Sequence, residues 1–115
     1  AVGDGKGKFG ISNSNSISIE ICSTLKKGCT PVAANHSGWY ITDKVITNAV
    51  QLTKKLMKDY NIPIERVVRH YDASGKLCPG IVGWNDGPLY NEKDGKPMNK
   101  SNSSYEWVKF NGRLK

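Results

Sequence analysis

Two spacings of apolar residues alternate along the chain, and each predicts a different kind of element. Over residues 42–60, Val45, Ala49, Leu52, Leu56 and Tyr60 recur at helical spacing with Ile46 and Met57 alongside, the stripe of a helix lying on a core. Thr42 is an N-cap residue type and Asp43 an acid in the first turn. Lys54, Lys55 and Lys58 load the far end with positive charge, as the macrodipole prefers, and Asn61 and Pro63 stop the helix. Residues 16–22, SISIEIC, instead alternate, with Ile17, Ile19 and Ile21 on one face and Ser18, Glu20 and Cys22 on the other, the period of a half-buried strand. The apolar pair Val67 and Val68 reads as the end of a buried strand that delivers His70 to a sheet edge. Ser103 or Ser104 caps a last helix from Tyr105 to about Asn111, placing Trp107, Val108 and Phe110 at the sheet face or its edge, and Gly112 breaks it.

The stretches between these elements are rich in turn formers. Residues 23–40 read as a loop by their Gly, Pro, Asn and Ser content, and residues 86–104 as a polar excursion without core pattern. The predicted order gives an α/β chain: one mixed β-sheet flanked by helices. Its 115 residues make one domain at the small end for such a unit. No apolar run approaches the roughly 20 residues that a membrane-spanning helix needs, and mean hydropathy is −0.51. No basic-then-apolar leader precedes the first element.

Charge narrows the partners. Seventeen Lys and Arg against 10 Asp and Glu give a net charge of +7, with the lysines dispersed, which favours an anionic partner without naming it. Zinc-finger spacing, an arginine-lined helix and an RNA-binding aromatic motif are all missing, so nucleic acid is not expected. Gly5, Gly7 and Gly10 match the spacing of a dinucleotide fingerprint, but no strand precedes them and ISNSNS is a poor helix start, so the segment reads as a flexible basic loop. Three cysteines, Cys22, Cys29 and Cys78, are too few and odd in number for a disulfide framework. A Cys22–Cys29 bridge stays open as an alternative to Cys22 as a free thiol pointing into a core.

The chemistry concentrates in VVRHYDASGKLCP, residues 67–79. Asp72, Ser74 and Gly75 form a turn-prone cluster, and Cys78 returns eight residues after His70, so that an imidazole and a thiolate can face one point. That pair suits zinc, which takes nitrogen and sulfur ligands, although a catalytic site needs three protein ligands and one open position. His36 is the other histidine of the chain and the internal candidate for a third, but it sits in loop surroundings. Lys76 places a cation beside the pair, suited to stabilising an oxyanion on a carbonyl. Trp84 is a candidate wall for a sugar or peptide groove, with a place in the core as the competing reading.

HYDASGKLCPG, taken with SNSISIEIC upstream, resembles the type 2 N-acetylmuramoyl-L-alanine amidases, whose fold is shared by phage amidase-type lysozymes and peptidoglycan recognition proteins. The resemblance implies Zn2+ as cofactor, with His70 and Cys78 as two of three ligands, Lys76 near the substrate carbonyl and Glu20 assisting the attacking water. It further implies hydrolysis of the bond between muramic acid and L-alanine, with peptidoglycan or muropeptides as partner and no nucleic acid. The site of action would be the cell wall, reached by secretion as an autolysin or by release as a phage endolysin. The family's first ligand histidine and a Tyr-His-Phe-like strand normally precede the equivalent of Ala1. Residues 1–115 are therefore expected to be a partial, N-terminally truncated catalytic domain, with a sheet edge open to self-association. The alternative is a fragment that binds peptidoglycan without cutting it; the cysteine at 78 favours an enzyme, because silent members commonly lack it.

Overall fold

The computed structural model describes residues 4–28, 38–76, 78, 84, 88–90, 97–101 and 105–115. In chain order the elements are β1 (Thr24–Leu25), β2 (Trp39–Tyr40), α1 (Asp43–Asp59), a 3-10 turn (Ile64–Arg66), α2 (His70–Ser74), β3 (Pro88–Tyr90), β4 (Pro97–Ser101) and α3 (Tyr105–Gly112). The α/β character holds, but the described strands form two separate antiparallel pairs rather than a mixed sheet. β1 pairs with β2 in the register Thr24 to Tyr40 and Leu25 to Trp39, and β3 pairs with β4.

α1 follows its sequence signals closely. The Thr42 hydroxyl accepts from the Val45 amide at 3.3 Å, and the Tyr60 amide closes the last turn on the Leu56 carbonyl. The buried face differs from the expected stripe by a rotation. Ala49, Val50 and Thr53 are buried and Ile46 and Met57 pack beside them, while Leu52 is 46 % and Tyr60 65 % exposed. Thr53 tolerates burial because its hydroxyl donates to the Ala49 carbonyl at 2.7 Å.

The core joins α1 to the C-terminal helix. Ala49 and Val50 meet Trp84, Phe110 and Leu114, with Ile21, Trp39, Ile41, Val67 and Trp107 packed around them. Trp84, Trp107 and Phe110 form an aromatic cluster with centroid separations of 5.2 to 5.9 Å in tilted and stacked pairs. Val108, expected at the sheet, is 61 % exposed. α3 is further tied to α1 by the Arg113 guanidinium, which donates to the Thr47 hydroxyl at 3.3 Å.

Two expected strands are replaced. Residues 16–22 run without strand pairing among the described residues, and Ile17 is 50 % exposed although Ile19 and Ile21 are half-buried. Cys22 is exposed and a free thiol rather than a core residue; Cys29 and His36 lie outside the described residues. The approach to His70 is a 3-10 turn and an extended link, and His70 opens α2 instead of ending a strand.

The glycine-rich segment is a loop, as expected, and residues 4–15 close it with hydrogen bonds. Asp4 bridges Ser12, the Gly5 amide donates to the Ile11 carbonyl at 3.0 Å, and the Asn15 side chain donates to the Gly10 carbonyl at 2.8 Å. Arg66 fastens it to the body by donating to the Phe9 carbonyl at 2.8 Å. Gly7 approaches α2 so closely that a Cβ there would lie 2.6 Å from the Ala73 carbonyl oxygen.

Candidate metal centre

α2 is a five-residue helix, too short to persist by propensity, so its ends carry it. At the start, the Asp72 carboxylate accepts from the Arg69 amide at 3.0 Å and from the Arg69 guanidinium at 2.8 and 3.0 Å. At the end, Gly75 takes the left-handed conformation (φ +81°), which glycine adopts without Cβ strain, and its amide donates to the Tyr71 carbonyl at 2.8 Å.

The chain then doubles back. The Cys78 amide donates to the Lys76 carbonyl at 2.7 Å, and the Cys78 carbonyl accepts from the Tyr71 amide at 2.9 Å. A first-turn amide with no partner inside its own helix is thereby satisfied by the residue returning past it. This closure, not a strand edge, sets Cys78 against the first turn that begins with His70.

His70 and Cys78 are both half-buried and both line a cleft of about 730 Å³. Glu20 lines it too, from the extended 16–22 segment, while its side chain stays exposed. Burial pushes the Cys78 thiol up; the Lys76 charge opposes this and the Glu20 charge reinforces it. Lys76 is exposed and outside the lining of the cleft, so its influence at Cys78 is through its field. Three of the four residues singled out in the sequence, Glu20, His70 and Cys78, line this cleft, from an extended segment, a helix and a loop rather than from neighbouring strands.

Trp84 does not keep its proposed place as a groove wall. It borders the same cleft, but at 2 % exposure its ring is spent on the Trp107 and Phe110 contacts, and it offers a ligand almost no surface. Sequence reading missed the pairing of Arg69 with Asp72, which it placed in a turn-prone cluster. Their Arg-x-x-Asp spacing, an acid three residues past a helix start, is the signal that a side-chain cap was present.

A model of the N-acetylmuramoyl-L-alanine amidase family matches residues 2–81, a span that includes Glu20, His70, Lys76 and Cys78. The chain belongs to this amidase family. Among curated relatives, the N-acetylmuramoyl-L-alanine amidase CwlH of Bacillus subtilis (strain 168) is 43 % identical over 75 residues, covering 65 % of this chain and 25 % of CwlH. The amidase CwlA of Bacillus sp is 35 % identical over 86 residues, covering 70 % of this chain and 30 % of CwlA. The amidase CwlL of Bacillus licheniformis is 34 % identical over 67 residues, covering 58 % of this chain and 15 % of CwlL. This amidase-family chain therefore spans less than a third of the length of each. No solved structure matches it. No helix among its described residues is long and apolar enough to cross a membrane.

Proposed function

We propose that this chain hydrolyses the amide bond between N-acetylmuramic acid and L-alanine in peptidoglycan, acting at the cell wall with zinc as cofactor. The observation that supports it most is the return of Cys78 onto the first turn of α2, which gives one cleft an imidazole and a thiol. Nitrogen and sulfur are the donors zinc prefers, so His70 and Cys78 suit the ion in kind. Among the described residues no group of three His, Cys, Asp or Glu gathers at one point, so this reading needs a further donor from elsewhere.

When bound, zinc supplies Lewis-acid polarisation of a carbonyl and acidification of water in the cleft. Glu20 takes the proton of the attacking water and returns it to the departing alanine nitrogen. Lys76 offsets the negative charge that develops on the carbonyl oxygen. The +7 net charge of the chain adds long-range attraction toward an anionic wall.

The test is release of alanine amino groups from purified muropeptides by the whole chain, with zinc per chain measured on the same dialysed sample. Release in step with zinc content is the expected result. Binding of peptidoglycan without release would replace this reading by that of a non-catalytic wall-binding unit.

A further inference from the structure

α1 carries a basic face that the cleft does not use. At about 100° per residue, Lys44, Lys54, Lys55 and Lys58 fall on the side of the helix turned away from buried Ala49, Val50 and Thr53, and all of them are exposed. None of them lines the cleft. Asp59 pairs with Lys55, but no acid pairs with Lys44, Lys54 or Lys58 among the described residues. The C-terminal end of the chain extends this face. Buried Leu114 joins the core with Ala49 and Val50, and beside it the exposed Arg113 donates to the Thr47 hydroxyl at 3.3 Å, one helical turn from Lys44.

The fold by itself does not favour these charges. Lys44 stands in the first turn of α1, where the helix dipole disfavours a cation. Lys54 and Lys58 are four residues apart, so that like charges face each other across one turn. Of the three unpaired lysines only Lys58, in the last turn, gains from the dipole. From Lys44 to Lys58 the helix rises about 21 Å at about 1.5 Å per residue. The face therefore presents a row of cations, which suits a polyanion with repeated charges better than one small anion.

We propose that the outward face of α1, with Arg113, docks the anionic phosphodiester polymer of a bacterial wall and tethers the chain beside its peptidoglycan. The identity of the polymer rests on the cell-wall reading above. The tether assigns the attraction of a +7 chain for an anionic wall to one face and leaves the cleft free for substrate. Contacts between lysine and phosphate release counterions, so binding of this kind weakens steeply with salt.

The test is cosedimentation of the whole chain with purified Gram-positive walls across a salt series, before and after hydrofluoric acid has removed their phosphodiester polymer. Intact walls should bind roughly tenfold more tightly or better, with log affinity falling linearly against log salt. Lys54→Gln/Lys58→Gln keeps two good helix formers and should flatten that slope by about 1 to 2, with muropeptide hydrolysis unchanged. Lys6→Gln/Lys27→Gln removes the same charge from exposed positions elsewhere and should change the slope far less. Equal binding to intact and stripped walls would overturn the docking face. Equal losses in the two double variants would overturn it by leaving only net charge. Tighter binding of duplex DNA than of intact walls at equal phosphate would overturn it by making the face a nucleic-acid surface. Wall binding that behaves as expected in a parent chain that releases no alanine from muropeptides would remove the hydrolytic reading and leave the docking face standing.

Discussion

The Tyr71 amide donates to the Cys78 carbonyl at 2.9 Å, so the position of Cys78 is set by its backbone and not by its sulfur. The thiol can be altered without releasing the loop. Cys78→Ser should therefore keep its far-ultraviolet circular dichroism and lose bound zinc, read as zinc per chain on dialysed protein. Full zinc occupancy in that variant would show that Cys78 is not a ligand.

Lys76 separates the two halves of the proposed chemistry. Its side chain is exposed and acts at Cys78 only through its field. Lys76→Ala should retain zinc and slow muropeptide hydrolysis by roughly a hundredfold or more, the usual cost of removing one oxyanion-stabilising group. Turnover unchanged at full zinc content would remove Lys76 from the mechanism.

Asp72 links the first turn of α2 to pH. Burial pushes its carboxyl up, but the hydrogen bonds and charge of Arg69, with the Lys8 charge, more than reverse this and hold it below the ordinary carboxylate range. A lowered folded value means that the ionised group favours the folded state. The contribution is complete above the unfolded value of about 4 and is lost as pH falls through the folded value. In the metal-free protein Asp72→Asn should cost about 1–3 kcal/mol at pH 7, and the deficit should shrink as urea midpoints are taken below pH 4. A deficit that stayed constant from pH 7 to pH 3 would show that the charge of Asp72 contributes nothing.

Gly7 tests the docking of the N-terminal loop. An added methyl would meet the Ala73 carbonyl at 2.6 Å, and because that atom is backbone, the loop or α2 must move. Gly7→Ala should lower stability by about 1–3 kcal/mol. Gly112, at the end of α3 with nothing within 4 Å of a built Cβ, is the control. Gly112→Ala should be neutral or stabilising by up to about 1 kcal/mol. Equal thermal shifts in the two variants would mean that the close approach at Gly7 is not felt.

What could be read from the sequence divides by the range of the interactions involved. α1 was legible to its caps because Thr42, Asp43 and Asn61 act within a turn of the helix ends. Glu20, His70 and Cys78 were picked out by residue type and family likeness, and the three line one cleft. The lack of strand pairing at 16–22 among the described residues was not legible, because alternation records which side chains face inward and says nothing about whether another backbone lies alongside. Arg69 reaches Trp84 and Trp107, 15 and 38 residues away, and no local pattern announces such partners.

The rotation of α1 shows the same limit and yields the last prediction. Leu52 shares helical spacing with Ala49 and Leu56, so periodicity admits it to the core. The face that packs is chosen by what arrives from elsewhere: Trp84 together with Phe110 and Leu114 from the C-terminal end. These cover the Ala49–Val50–Thr53 side and leave Leu52 46 % exposed, whereas Leu114, with no periodic signal of its own, is 5 % exposed. Leu114→Ala should therefore cost about 2–5 kcal/mol through lost burial and an unfilled cavity. Leu52→Ala should stay within about 0.5 kcal/mol, as exposed substitutions do. Chemical denaturation of the two variants side by side decides between the faces: a larger loss at Leu52 would place the core on the other side of α1.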